Sequence, residues 1–256
     1  MTKLIKKNYP EKITIRHSDL SQLCEDERCI FVQAGMILND LRYFDLSLQN
    51  HINAMKGGSK SHETECGILL SQTTLLLAHL AGTLNEANQV IVKSYFLPTV
   101  SKKYAPLLSP QATEALARIK TFFSNKSNLV SHIRNNFGFH YDRKHITDIM
   151  KCFPPDWEHN TFLPHALNNA FIEFGQVCSM NAMFKSTGVS NGIEGLFHVF
   201  EVLVNEVMKD FVIFFHGVLQ VMTKAIPTKA KPYGMIIRQA SPALFNQELE
   251  LLMQRR

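Results

Sequence analysis

Over long stretches of this chain the apolar positions recur at the 3.6-residue period of helices, and alternating β-branched runs bounded by turns are scarce. The pattern predicts an all-α fold, a multi-helix bundle with long antiparallel helices. A first helix is expected over about residues 31–55, with Met36, Leu38, Leu41, Phe44, Leu48 and Ile52 on its apolar face and Gly57-Gly58 ending it. A second, over about residues 61–96, carries Ile68, Leu69, Leu75, Leu76, Leu80, Leu84, Val90 and Ile91. Pro98 closes it, because the residue before a proline is pushed out of helical geometry. These two should pair as a hairpin.

Ser109-Pro110 supplies an N-cap and a first-turn proline for a third helix through Ala115, Leu116, Ile119 and Phe122. Ser127 is expected to cap a short fourth, whose Leu129, Ile133, Phe137 and Tyr141 form one apolar stripe at a spacing of four. Helix restarts at Asp142 or Thr147 toward Cys152, and Phe153-Pro154-Pro155-Asp156-Trp157 breaks it. Two more long helices are expected over about residues 165–185 and 193–225, separated by a turn from Thr187 to Gly192. The chain therefore reads as an N-terminal arm (1–29), a helical bundle (30–225) and a basic C-terminal tail (226–256) with one short helix near 242–253.

With 256 residues, 45% hydrophobic and 19% charged, the chain has enough apolar material for a sizeable core, which excludes global disorder. Its five cysteines are odd in number and lack the repeated spacings of a disulfide framework or zinc ribbon, so they are expected as reduced thiols of a cytoplasmic protein. Lys3, Lys6, Lys7 and Lys12 precede no apolar run, unlike a secretory signal or membrane anchor. The most apolar stretch, residues 211–222, is about half the ~20 residues that span a bilayer. It is expected as a buried helix, with no membrane partner.

Charge changes the picture more than composition does. Between Arg118 and His145 lie six basic residues (Arg118, Lys120, Lys126, Arg134, Arg143, Lys144) against one acid, Asp142, a surplus of five that equals the +5 of the whole chain. His132, His140, His145 and four asparagines share the stretch, which gives it cations and hydrogen-bond donors suited to phosphates. Lys120, Lys126, His132, Arg143 and Lys144 are its candidate nucleic-acid contacts.

Within that segment, Arg134-Asn135 is followed by four residues and then His140, in the run Phe137-Gly138-Phe139-His140-Tyr141-Asp142. This resembles the HEPN superfamily, whose motif is an arginine, usually with a polar residue after it, and a histidine four to six residues beyond. The resemblance covers the motif helix and, loosely, its helical context. It implies a metal-independent ribonuclease of the toxin–antitoxin or abortive-infection kind that dimerises so that two motifs share one cleft, with an antitoxin protein as a further partner. On that reading Arg134, Asn135 and His140 are the catalytic residues and no cofactor is needed. Histidine titrates near neutral pH, which suits moving a proton at the RNA 2′-hydroxyl. The arginine offers permanent charge and a planar fork of donors to the phosphoryl oxygens, and Asn135 would hold it or touch the phosphate.

Six steps along a straight helix set Arg134 and His140 about 120° apart around the axis and roughly 9 Å along it. Either a distortion at Gly138 turns His140 back, or the acting pair forms across a two-fold interface. The competing reading is a catalytically silent bundle that binds a protein or nucleic acid through segment 118–145, with Arg134 paired to an acid and His140 set against a helix C-terminus. Metal-binding patterns are weak. His62 with Cys66, and Glu194, His198 and Glu201, share helical faces, but no matching Glu-x-x-His motifs complete a site, so none is expected. No nucleophile elbow, phosphate-binding Gly-Lys-Ser/Thr loop or dinucleotide fingerprint is present.

Overall fold

The computed structural model describes residues 11–15, 17–57, 63–135, 147–148, 150–151, 153, 156, 161–162, 171–172, 175, 177–178, 180–181, 183, 192–226 and 229–232. In chain order the elements are β1 (Glu11–Thr14), α1 (His17–Leu20), α2 (Glu25–Gly57), α3 (Glu63–Val90), α4 (Pro98–Tyr104), α5 (Pro110–Ser124) and α6 (Leu129–Ile133). They continue with β2 (Thr161–Phe162), β3 (Phe171–Ile172), α7 (Gly192–Phe200), α8 (Lys209–Ala225) and β4 (Lys229–Pro232). The fold is all-α, a bundle of packed helices with two very short β ladders attached.

The larger unit, Glu25–Met222, is organised around α3. Leu77, Leu80, Ala81, Leu84 and Ala87 of this helix are buried, and α2, α6, α7 and the start of the final rod all lie against it. Gly67–Tyr95 is the one described helix long and apolar enough to cross a membrane by length and composition, with a window of mean hydropathy 1.3 that is 44% buried inside the structure. Residues 211–222, the most apolar stretch of the sequence, lie within α8.

Helix α2 packs through Ile30, Ala34, Ile37, Leu41 and Leu48, which are buried at steps of three, four and seven. Met36, expected on that face, is 61% exposed. It stands two residues from Ala34, about 200° around the axis, so it belongs to the opposite side. Leu75 of α3 departs in the same way and is exposed.

After Val90 the second helix continues as a π-helical turn, Ile91–Tyr95, sealed by a hydrogen bond from Phe96 N to Ile91 O five residues back at 3.0 Å. The wider turn aims Tyr95 into the core, edge-on to Phe214 with centroids 4.9 Å apart. Pro98 then opens α4 at its first turn. Ser109 caps α5 as predicted, accepting from Ala112 N. For α6 the cap is Asn128 and not Ser127: Asn128 Oδ1 accepts from Ser131 N at 2.8 Å, and Ser127 belongs to the preceding turn, its N–H donating to Asn125 Oδ1 at 2.9 Å.

The final rod runs from α7 through a π-helical segment, Glu201–Met208, into α8, close to the expected 193–225. It delivers Phe211, Phe214 and Phe215 fully buried, and Gly217 passes so close to α5 that an added methyl would sit 2.6 Å from Ala112 Cβ. Within the stretch 165–185, expected as one helix, two residues are strand instead. Phe171–Ile172 pairs antiparallel with Thr161–Phe162, and described helical residues begin at Gly175. Aromatic and β-branched residues favour strands, and an apolar run this short does not distinguish the two periods.

In the smaller unit, Met1–Cys24 with Thr223–Arg256, β1 pairs antiparallel with β4 in the register Glu11↔Pro232 to Thr14↔Lys229. The arm and the tail, far apart in sequence, are thus tied together. Among the described residues Cys29 and Cys178 are free thiols, and burial pushes the Cys178 thiol up.

At the base of the larger unit the Glu27 carboxylate is 4% exposed and accepts from Lys103 Nζ at 2.6 Å and Tyr104 OH at 2.9 Å. Asp26 beside it accepts from Thr99 Oγ1 at 2.6 Å, so α2 is fastened to α4 by two carboxylates. Hydrogen bonds to a charged group are worth about 1.5–3 kcal/mol. Tyr104→Phe should lower unfolding stability by about that amount in urea titrations, with the helical circular dichroism of the native state unchanged.

Three groups here hold their protons more tightly when folded. Burial lifts the Tyr95 phenol from 10.0 to about 12, desolvation and then the Glu27 hydrogen bond raise Tyr104, and the Glu27 hydrogen bond raises Lys103. Raised values mean stability is intact below the unfolded values near pH 10 and is lost as pH rises through the folded ones. Denaturation midpoints should therefore fall from pH 10 toward 12, and in Tyr95→Phe the fall should be shallower.

Candidate functional site

Arg134 leaves the end of α6, where Val130 and Ile133 are fully buried and the helix lies against α3. At Arg134 and Asn135 the winding loosens to π-helical, and Gly138, one of the two places where the sequence offered a way to bring His140 to Arg134, lies outside the described residues. The guanidinium reaches α3: Nη2 donates to Glu86 Oε1 at 3.3 Å, and Nη1 donates to Asn135 Oδ1 at 3.4 Å. The arginine side chain keeps 41% of its exposure and that of Glu86 keeps 66%.

The groove beside this pair holds about 350 Å³ and lies between α2, α3 and α6. Asp40 and Phe44 line it from α2, and His79, Thr83 and Glu86 line it from α3 at steps of four and three. Buried Gly82 contributes no side chain to its floor, which leaves the groove open. Sequence reasoning missed Asp40, His79 and Glu86. The signal for the two on α3 was a polar stripe, His79, Thr83 and Glu86, at i, i+4 and i+7 along a largely apolar helix, while Asp40 on α2 left no such trace.

Of the other predicted residues, those that are described do not gather here. His132 is half-buried and two residues before Arg134, about half a turn away, so it faces a second groove of about 440 Å³ with His198, Asn125 and Ser127. Lys126 is exposed in the turn before α6, and Lys120 lies over the Phe96 ring with its ammonium 4.3 Å from the centroid. Asn135 is exposed. His140, Arg143, Lys144, Phe137 and Tyr141 fall outside the described residues, as do His62 and the side chains of Cys66 and Glu194.

Two of the four described basic residues in segment 118–145 are paired with acids. Besides Arg134, Arg118 grips Asp210 through Nε at 2.9 and 3.1 Å and Nη2 at 2.7 Å, a two-pronged contact that raises its pKa and joins α5 to α8. The segment is thus less a continuous cationic face than its sequence surplus suggested. Among the described residues no group of three or more His, Cys, Asp and Glu is placed to hold a metal ion. Set against protein-family models, curated proteins and solved structures, the chain matches none of them.

The two arginines differ in what their loss uncovers. Asp210 retains 13% of its side-chain exposure, whereas Glu86 retains 66%. Arg134→Ala should cost under about 1 kcal/mol, the usual worth of an exposed pair. Arg118→Ala should lower the thermal midpoint further, and differential scanning of the two variants checks the order.

Proposed function

We propose that this chain is a HEPN-like, metal-independent endoribonuclease that acts as a cytoplasmic homodimer in a toxin–antitoxin or phage-defence setting. The observation that supports this most is the placement of Arg134. Its guanidinium is partly exposed on the rim of an open groove, braced by the Asn135 amide and in company with the imidazole of His79. A phosphodiester entering that groove would meet a planar fork of donors where charge develops on the phosphoryl oxygens. His140 supplies the proton-handling group of the motif, and no cofactor takes part.

The purified chain should cut RNA in the presence of EDTA. Arg134→Ala and His140→Ala should each lower the rate by about 10²–10³-fold, the usual loss when a transition-state donor or proton-transfer group is removed. Undiminished cutting by both variants overturns the assignment.

One observation favours a second reading, a silent bundle that binds a protein or nucleic acid through segment 118–145. Glu86 already satisfies Arg134 by an ion pair. Glu86→Gln separates the two: a catalytic Arg134 released from its acid keeps or gains cleavage, while a silent bundle shows no cleavage in any variant and only salt-dependent binding, with Lys120 and Lys126 mattering as much as Arg134.

A further inference from the structure

The side of α2 that faces away from the bundle carries Cys29, Val32, Met36, Asn39, Tyr43 and Leu46, at successive steps of three, four, three, four and three. All six are exposed, and the four large apolar ones strongly so: Val32 51%, Met36 61%, Tyr43 60% and Leu46 51%. On a helix of 33 residues this is the a/d spacing of a coiled-coil seam, set about 200° from the buried seam through Ala34 and Leu41. Isolated exposed apolar residues are ordinary, but a contiguous seam at this spacing is what a second helix covers.

We infer that this face of α2 is the interface between two copies of the chain, paired helix to helix about a two-fold axis. Three observations select a like partner. First, a two-fold contact requires a face that complements itself, and between Arg28 and Gln49 the helix holds two arginines and two aspartates, Arg28, Asp40, Arg42 and Asp45. That stretch is neutral in a chain of net charge +5, so a second copy is not repelled there. Second, Asn39 is the one polar position among the six, and an asparagine inside an apolar seam fixes register and copy number by pairing with its counterpart. Third, the face is large enough. Residues 28–49 run about 32 Å, and half the circumference of a cylinder about 11 Å wide is roughly 17 Å. That gives about 550 Å² per copy and about 1,100 Å² for the pair, above the ~1,000 Å² a specific interface needs.

The interface also bears on the groove. Asp40 adjoins Asn39 on the seam and lines the groove that holds Arg134, so pairing sets the rim of each groove against the partner helix. The inference itself stands on the α2 face and does not require the chain to cut RNA.

Sedimentation equilibrium of the full chain, without nucleic acid, tests it. Twice the chain mass is expected at tens of micromolar. Met36→Glu and Tyr43→Glu should each weaken association at least tenfold with unchanged helical circular dichroism, since both side chains stand in solvent. Val92→Glu, on an exposed apolar residue off the seam, should leave the dimer intact. A monomeric wild-type chain, or an association that survives both seam variants or falls equally with Val92→Glu, overturns the assignment. Because mass is read without substrate, loss of the nuclease reading leaves this result standing.

Discussion

The need to cover α3 shapes most of what the structure displays. This helix and its π turn are apolar enough over Gly67–Tyr95 to meet the composition of a membrane span, and in water such a surface demands partners on several sides. Helices α2, α6 and α7 and the following π segment supply them. Where the cover stops, the sequence of α3 turns polar, at His79, Thr83 and Glu86, and the uncovered strip becomes the wall of the groove beside Arg134. Core and candidate site are thus two faces of one helix. Covering α3 also commits the inner seam of α2, which leaves its outer seam for something else.

The departures from regular α winding fall where this packing is hardest to satisfy. At Ile91–Tyr95 the extra residue in the turn brings a bulky phenol inward, at Glu201–Met208 it lets the final rod follow α3 before delivering three phenylalanines to the core, and at Arg134–Asn135 it begins at the motif itself. The first has a cost in polarity. The Tyr95 hydroxyl is buried without a hydrogen-bond partner among the described residues, and the same desolvation lifts its pKa to about 12. The Glu27 carboxylate shows the opposite solution, a buried charge retained because Lys103 and Tyr104 both donate to it.

Helix positions were legible wherever the signal was local and long: the Ser109-Pro110 start of α5 and the extent of the final rod follow from caps, prolines and period, whereas α4 was missed because Pro98 reads equally as the end of one helix and the start of the next. Which side of a helix faces inward was harder. Met36 and Leu75 are as hydrophobic as their buried neighbours, and when a helix carries apolar residues on opposite sides the period alone does not say which is core. The short β2–β3 ladder was illegible for a different reason, since strands of two residues leave no periodic trace. For the site, the sequence pointed to Arg134 and Asn135 but not to Asp40, His79 and Glu86, which come from two other helices and meet the arginine only through tertiary packing. Counting charges along the chain also overstated the free cationic surface, because Asp210 lies 92 residues from Arg118 and yet neutralises it.

The contrast between the two arginine pairs bears on what Arg134 is able to do. Arg118 is held by three short contacts to a carboxylate that is mostly shielded, so releasing it would uncover a charge that water cannot fully reach. Arg134 is held by one long contact to a carboxylate that is mostly in water. An exposed pair of that kind is worth at most about 1 kcal/mol, while a charge-assisted, two-pronged contact from a guanidinium to a phosphate is worth about 1.5–3 kcal/mol. Exchange of Glu86 for a phosphate is therefore favourable on magnitude alone, and Glu86 regains its hydration when it lets go. The ion pair of the resting chain is therefore compatible with the phosphate-binding role proposed for Arg134.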